Sequence, residues 1–184
     1  MIGRQIGRPA QERNTSIAML QAATARLVSL VNPRLIPPEG ISFGSALRGA
    51  RDNNGVSAVS SGIRRGVPDV TPVTCAFGTD EPVVRIILTA MKFDPEIRSA
   101  ALLQYSDRAL RIFEDDLFLE SCSVHNVSKN PGISTMDWSI ASCCKAGVPD
   151  VICQRSASDQ ESRIVLFGES PTVVANNIII CSNR

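Results

Sequence analysis

Apolar positions along this chain alternate between two periods. Between residues 14 and 31, Ile17, Leu20, Leu27 and Val31, with small alanines between them, fall on one stripe of a helix that Asn14 or Thr15 can cap. Asn32-Pro33 stops that helix, and Pro37-Pro38-Glu39-Gly40 forms a turn. The pattern then shortens. Residues 41–47 and 56–60 read as strands joined by the turn-rich Arg51-Asp52-Asn53-Asn54-Gly55, and residues 70–76 read as a further strand after a second turn at residues 64–69.

The helical period returns at residues 83–91, with Pro82 in the first turn and Asp80 or Thr79 as the expected cap. Residues 98–105 read as a strand. Ser106 caps a helix over residues 107–116 whose apolar members are Leu110, Ile112 and Phe113, and residues 118–125 form the next strand. Ser134 and Asp137 have the spacing of a capping box, which predicts a helix over residues 135–146 ended by Gly147. Strands follow at residues 151–154 and 163–167, and Ser170-Pro171 opens a last helix carrying Val173, Val174, Ile178 and Ile179. Strands and helices interleave without an internal repeat or a linker. The expectation is one three-layer α/β/α domain, whose strand order the connection lengths leave open.

Composition narrows the function classes. A chain of 184 residues accommodates one substantial core. A net charge of +1 gives no broad attraction to nucleic acid or anionic membranes. Arg4, Arg8 and Arg13, set among Gly3, Gly7 and Pro9, read as a flexible basic tail over residues 1–13. No apolar run approaches the roughly 20 residues of a membrane span. Nor does a charged-then-apolar segment open the chain, so a cytoplasmic protein is expected.

The six cysteines show no CxxC spacing and the sole histidine is His125, which points to reduced, buried thiols and no metal site. Cys143 and Cys144, adjacent on a predicted helix, point about 100° apart. Glu114-Asp115-Asp116 reads as a solvated helix end, and His125 as a strand end with no Ser-His-Asp set around it.

Two stretches carry candidate chemistry. The first is FGTDEPVVRIILTAMKFDPEIRSAALLQYS, residues 77–106. Its glycine turn, Phe77-Gly78-Thr79, feeds a helix start, where unpaired N–H groups favour an anion. Asp80 and Glu81 place two carboxylates at that same end, where they satisfy the helix and repel phosphate. The second is Gly132-Ile133-Ser134-Thr135-Met136-Asp137-Trp138. Ser134 and Thr135 bring hydroxyls to a helix start, and Trp138, the only tryptophan, offers a face for stacking. A capped helix with its tryptophan in the core uses the same residues.

Together with Gly147-Val148-Pro149-Asp150-Val151-Ile152, these stretches resemble the archaeal ThiN-type thiamine-phosphate synthase domain, over residues 33–184, with residues 14–32 as an N-terminal helix before it. The resemblance implies an aldolase-like fold with a mixed, largely antiparallel sheet, and a homodimer. It also implies a reaction that joins hydroxymethylpyrimidine pyrophosphate to thiazole phosphate with magnesium. The family pattern approximating FGASSHVAR sets its histidine on Pro82. The pattern A-(I/V)-P-G-R-I sets its catalytic arginine on Gly62. Arg64 or Arg65 substitutes only if the register slips, and an odd slip turns the side chain to the other face.

Arg85 matches a family arginine, Arg98 lies in the I-R-(S/A)-A match and Asp150 in the P-D-V-I match, where it binds a ring amine or closes a turn. The implied ligand-binding set is Phe77, Gly78, Thr79, Arg85, Arg98, Ser134, Thr135, Met136, Trp138 and Asp150, with no catalytic residue. Some family members are ligand sensors that lack both catalytic groups and carry an N-terminal helix-turn-helix domain. The resemblance therefore points to a non-catalytic sensor of thiamine phosphate or a related precursor, working without a cofactor, alone or with a DNA-binding partner. The alternative is an active, magnesium-dependent synthase using Arg64 or Arg65 with Arg85.

Overall fold

A computed structural model of the chain describes residues 7–64, 74–125 and 136–184. Its centre is a seven-stranded sheet built from β1 (Ser42–Ala46), β2 (Val56–Val59), β3 (Cys75–Phe77), β4 (Ser99–Gln104), β5 (Ser121–Val124), β6 (Val151–Gln154) and β7 (Arg163–Gly168), in the order β3-β2-β1-β4-β7-β6-β5. Every neighbouring pair is antiparallel except β5 with β6. The central seam pairs β4 with β7 from Ser99↔Gly168 to Gln104↔Arg163.

Helices cover both faces, which is why β1 and β6 are buried at every position and show no polar alternation. On one face α1 (Gly7–Leu30) and α5 (Pro171–Ser182) enclose a core of Leu20, Leu27, Phe43, Leu103, Leu166 and Ile178. On the other face α2 (Pro82–Phe93) and α4 (Trp138–Cys143) enclose Val56, Val83, Ile87, Ile140, Ile152 and Val165. The expected three layers and mixed, largely antiparallel sheet are present. Gly44 lets α2 lie close to the sheet, since a Cβ there would meet Ser57 O at 2.9 Å and Val83 Cγ1 at 3.0 Å.

Several local expectations are corrected. The first helix starts at Gly7, not at an Asn14 or Thr15 cap, so residues 7–13 are helical where a tail was expected. Arg13 anchors this extra length: its guanidinium lies 4.0 Å from the Phe77 ring centroid and its Nη1 donates to Asn54 O at 2.9 Å. Leu20, Ala23, Leu27 and Val31 of this helix belong to the same core as the sheet. The cap residue of α2 is Glu81, without a side-chain capping bond, and not Asp80 or Thr79.

Ser106 caps α3 (Asp107–Arg111) as expected, accepting from Ala109 N at 3.0 Å. Residues Ile112–Asp116 then widen into a π turn closed by Leu117 N donating to Ile112 O. The fifth strand is shorter than expected, and Phe118 before it adopts φ +54°. Helix α4 is shorter too, with Asp137 as its cap; Ser134, Thr135 and Gly132 lie outside the described residues, as do Arg65 and residues 70–73 of the expected third strand.

The expectation that the cysteines are all reduced is overturned. Cys122 of β5 and Cys143 of α4 form a disulfide, with Cα atoms 6.0 Å apart. Their separation of 21 residues has no motif to announce it. The pairing arises because α4 packs beside the β5 edge. Cys75, Cys144, Cys153 and Cys181 are free and buried.

Candidate functional site

The 77–106 stretch and the segment around Gly62 converge at the start of α2. After β2 the chain turns through two left-handed residues, Ser61 at φ +64° and Gly62 at φ +71°. Glu81, the last residue before α2, reaches this turn, and its Oε1 accepts the Ser61 N–H at 3.0 Å. A carboxylate therefore occupies the junction between the two stretches.

The N–H groups of the α2 start are largely engaged within the protein. Pro82 has none. The Val83 N–H donates to the buried Ser42 Oγ at 3.3 Å, and Val84 N–H donates to Glu81 O at 3.0 Å. Gly62 backs onto the preceding turn: a Cβ there would lie 3.1 Å from Glu39 O and 3.2 Å from Gly40 Cα. Position 62 thus combines a left-handed backbone with tight contacts for any Cβ.

Arg64 is committed elsewhere. Its Nη2 donates to Glu39 O at 3.2 Å. The Glu39 carboxylate is gripped in turn by Arg163, Nε to Oε1 at 2.7 Å and Nη2 to Oε2 at 2.9 Å. Partial burial pushes the Glu39 carboxyl up, but the Arg163 bonds and the nearby Arg64 charge outweigh it and hold the group below its ordinary 4.5.

One turn into α2, Arg85 is half-buried, and none of the side-chain bonds described for α2 uses its guanidinium. Its carbonyl accepts from Thr89 Oγ1 at 2.8 Å, and Thr89 Oγ1 accepts the Asp137 N–H at 2.9 Å. This relay docks the start of α4 on α2. Asp137 Oδ1 caps α4 through Ser139 N at 3.0 Å and Ile140 N at 3.2 Å, and also accepts from Ser139 Oγ at 2.6 Å. Trp138 follows, 69% exposed, so the reading of a core tryptophan does not hold. Met136 immediately precedes this cap.

In the glycine turn, Gly78 has φ +76° and donates its N–H to Asn53 O at 2.9 Å. Thr79 Oγ1 is buried with no hydrogen-bond partner. Phe77 has one face taken by Arg13. Thr79 and Glu81 thus stand at the start of α2, Arg85 one turn in, and Asp137 docks further along the helix at Thr89, with Trp138 next in the chain.

Arg98 and Asp150 do not join them. Asp150 closes a turn: its Oδ2 accepts Glu120 N–H at 3.0 Å and its carbonyl accepts Phe167 N–H at 2.9 Å. Arg98 lines a different cleft. Sequence reasoning missed Ser42, Thr89 and Ser61. The one available signal was a hydroxyl inside an otherwise apolar segment, as at Ser42 and Thr89, both buried.

Several of the described carboxylates are already engaged. Glu81 already accepts from Ser61, Glu114 from Ser121 Oγ, and Asp116 from Arg184. Among the described residues no three His, Cys, Asp or Glu side chains are grouped to hold a metal ion. Nor, among those residues, is any helix long and apolar enough to cross a membrane.

Comparison with known proteins gives concordant results. The family model described as thiamine-phosphate synthase ThiN matches residues 19–180. The bifunctional thiamine biosynthesis protein ThiDN of Methanocaldococcus jannaschii is 28% identical over 161 residues, 83% of this chain and 37% of that protein. The chain thus spans little more than a third of that relative. The solved C-terminal domain of protein MJ0236 superposes with a TM-score of 0.76 at 26% identity, covering 93% of this chain and 95% of that one. The solved C-terminal domain of phosphomethylpyrimidine kinase superposes with a TM-score of 0.78 at 25% identity, covering 92% of this chain and 100% of that one.

Proposed function

The chain belongs to the ThiN family of thiamine-phosphate synthases, and from that premise we propose that it binds thiamine phosphate along α2 and α4 without forming it. Synthesis releases pyrophosphate, so a synthase must gather positive charge around the leaving group. The observation that carries the reading is the Glu81 carboxylate held on the Ser61 N–H. It puts negative charge between the two positions, Gly62 and Pro82, on which the resemblance sets the family arginine and histidine. The tight backbone packing at Gly62 and the engagement of Arg64 with Glu39 support the same reading.

Binding draws support from other groups. Thr79 Oγ1 is a buried hydroxyl in want of a partner. Trp138 presents an open indole face beside the capped start of α4, suited to a pyrimidine or thiazolium ring. Arg85 supplies a cation one turn into α2 for a single phosphate. A binder that does not turn over serves as a ligand sensor in thiamine metabolism.

The test is paired. Calorimetry and Trp138 fluorescence should report saturable binding of thiamine phosphate. Incubation with hydroxymethylpyrimidine pyrophosphate, thiazole phosphate and magnesium should release no pyrophosphate above the uncatalysed rate. Turnover at an enzyme-like rate, abolished by Arg85→Ala, would establish the synthase instead.

A further inference from the structure

A cleft opens between the first half of α1, the end of β1 and the turn from β7 into α5. It encloses about 490 Å³, and its lining includes Arg8, Glu12, Ser16, Arg48, Arg98 and Glu169. That volume suits a small molecule.

Two of its side chains carry buried polar atoms with no partner, Ser16 Oγ and Arg98 Nε. Only five such side-chain atoms occur among the described residues, so finding two in one cleft marks it out. Buried donors left unbonded are costly and mark a site where something else supplies the acceptor. Arg98 is also held firmly. Its N–H donates to Gly168 O at 3.2 Å and its carbonyl accepts Ala46 N–H at 2.7 Å, so both neighbouring strands fix the base of the side chain. Among the described residues no carboxylate pairs with it. Arg48 reaches only Glu96, at 3.8 Å on the surface.

We infer that this cleft binds a small molecule through a single oxyanion group, phosphate monoester or carboxylate, seated on Arg98 and Ser16. Arg8 and Arg48 add long-range attraction. Glu12 and Glu169 line the same cleft and balance two of its three arginines, leaving one net positive charge. That balance favours a ligand with a single anionic group, carrying about one to two negative charges, over a diphosphate. The site is separate from the α2–α4 site and does not depend on the reading of that site.

The arginine Nε–Hε resonances of the full ¹⁵N-labelled chain provide the test, with Arg98→Gln identifying the Arg98 signal. Titration with inorganic phosphate or acetate should shift that one signal saturably while the other arginines drift only with ionic strength. The stronger of the two anions distinguishes a phosphate-bearing ligand from a carboxylate. Ser16→Ala should raise the midpoint by about threefold to tenfold, and pyrophosphate should bind no tighter than phosphate. Should Arg98→Gln fail to fold, through-bond assignment of the Arg98 signal in the unaltered chain and in Ser16→Ala gives the same reading. An Arg98 signal that stays put, moves in step with the others, or titrates identically in Ser16→Ala would overturn the inference, as would tighter binding of pyrophosphate.

Discussion

Glu81 Oε1 accepts the backbone N–H of Ser61 at 3.0 Å, fastening the start of α2 to the turn after β2. The contact is local in space and 20 residues apart in sequence. On the proposed reading, it places a carboxylate between Gly62 and Pro82, the positions on which the resemblance sets the family arginine and histidine.

Glu81→Gln keeps an acceptor for Ser61 and removes the charge. Thiamine phosphate should then bind about fivefold more tightly, corresponding to roughly 1 kcal/mol for one like-charge contact at the surface. Calorimetry of both proteins measures this. Pyrophosphate release should remain absent.

Restoring an arginine at position 62 should fail. Gly62→Arg forces a side chain onto a left-handed backbone and against Glu39 and Gly40. The expected loss is roughly 1–3 kcal/mol of stability, read from denaturant unfolding, with no synthase activity gained.

Trp138→Ala separates a binding role from a packing role. Because the indole is 69% exposed, stability should change by no more than about 0.5 kcal/mol. Affinity for thiamine phosphate should fall clearly in calorimetry. A strong drop in stability with affinity unchanged would contradict the site.

The Cys122–Cys143 disulfide is testable by counting thiols. The unfolded, unreduced protein should react at four cysteines, Cys75, Cys144, Cys153 and Cys181, and at all six after reduction. Cross-linking a loop of this length should stabilise the fold by about 3 kcal/mol, measured by denaturant unfolding with and without a dithiol.

The Glu39–Arg163 pair predicts an acid limb in stability. Folding lowers the Glu39 carboxyl below its ordinary 4.5, so the folded state favours the ionised form. The contribution is fully present above that value and is lost as pH falls through the lower folded value. Glu39→Gln should flatten this limb, as thermal unfolding across the acid range would show.

Much of this was legible along the chain. Residues 151–154 form β6 with the boundaries expected, and Ser106 and Ser170 cap α3 and α5 as expected. These features depend on neighbours within a few positions. Where longer contacts decide, the local reading gave way. Asn14 and Thr15 resemble caps, yet Arg13 stacked on Phe77 carries the helix past them. Asp80 resembles the α2 cap, yet Glu81 takes the place and turns its carboxylate to Ser61.

Apolar periodicity and turn residues by themselves determined the alternation of helices and strands, because burial on one stripe or on two faces is written in spacing. Motif residues determined the family. Only the tertiary structure decided that Arg98 lines a cleft beside α1, that Asp150 closes a turn at Glu120, that Cys122 meets Cys143, and that a Cβ at Gly62 would be tightly hemmed. Those relations depend on strand order and on helices crossing a sheet, and no local pattern of side chains encodes such distances.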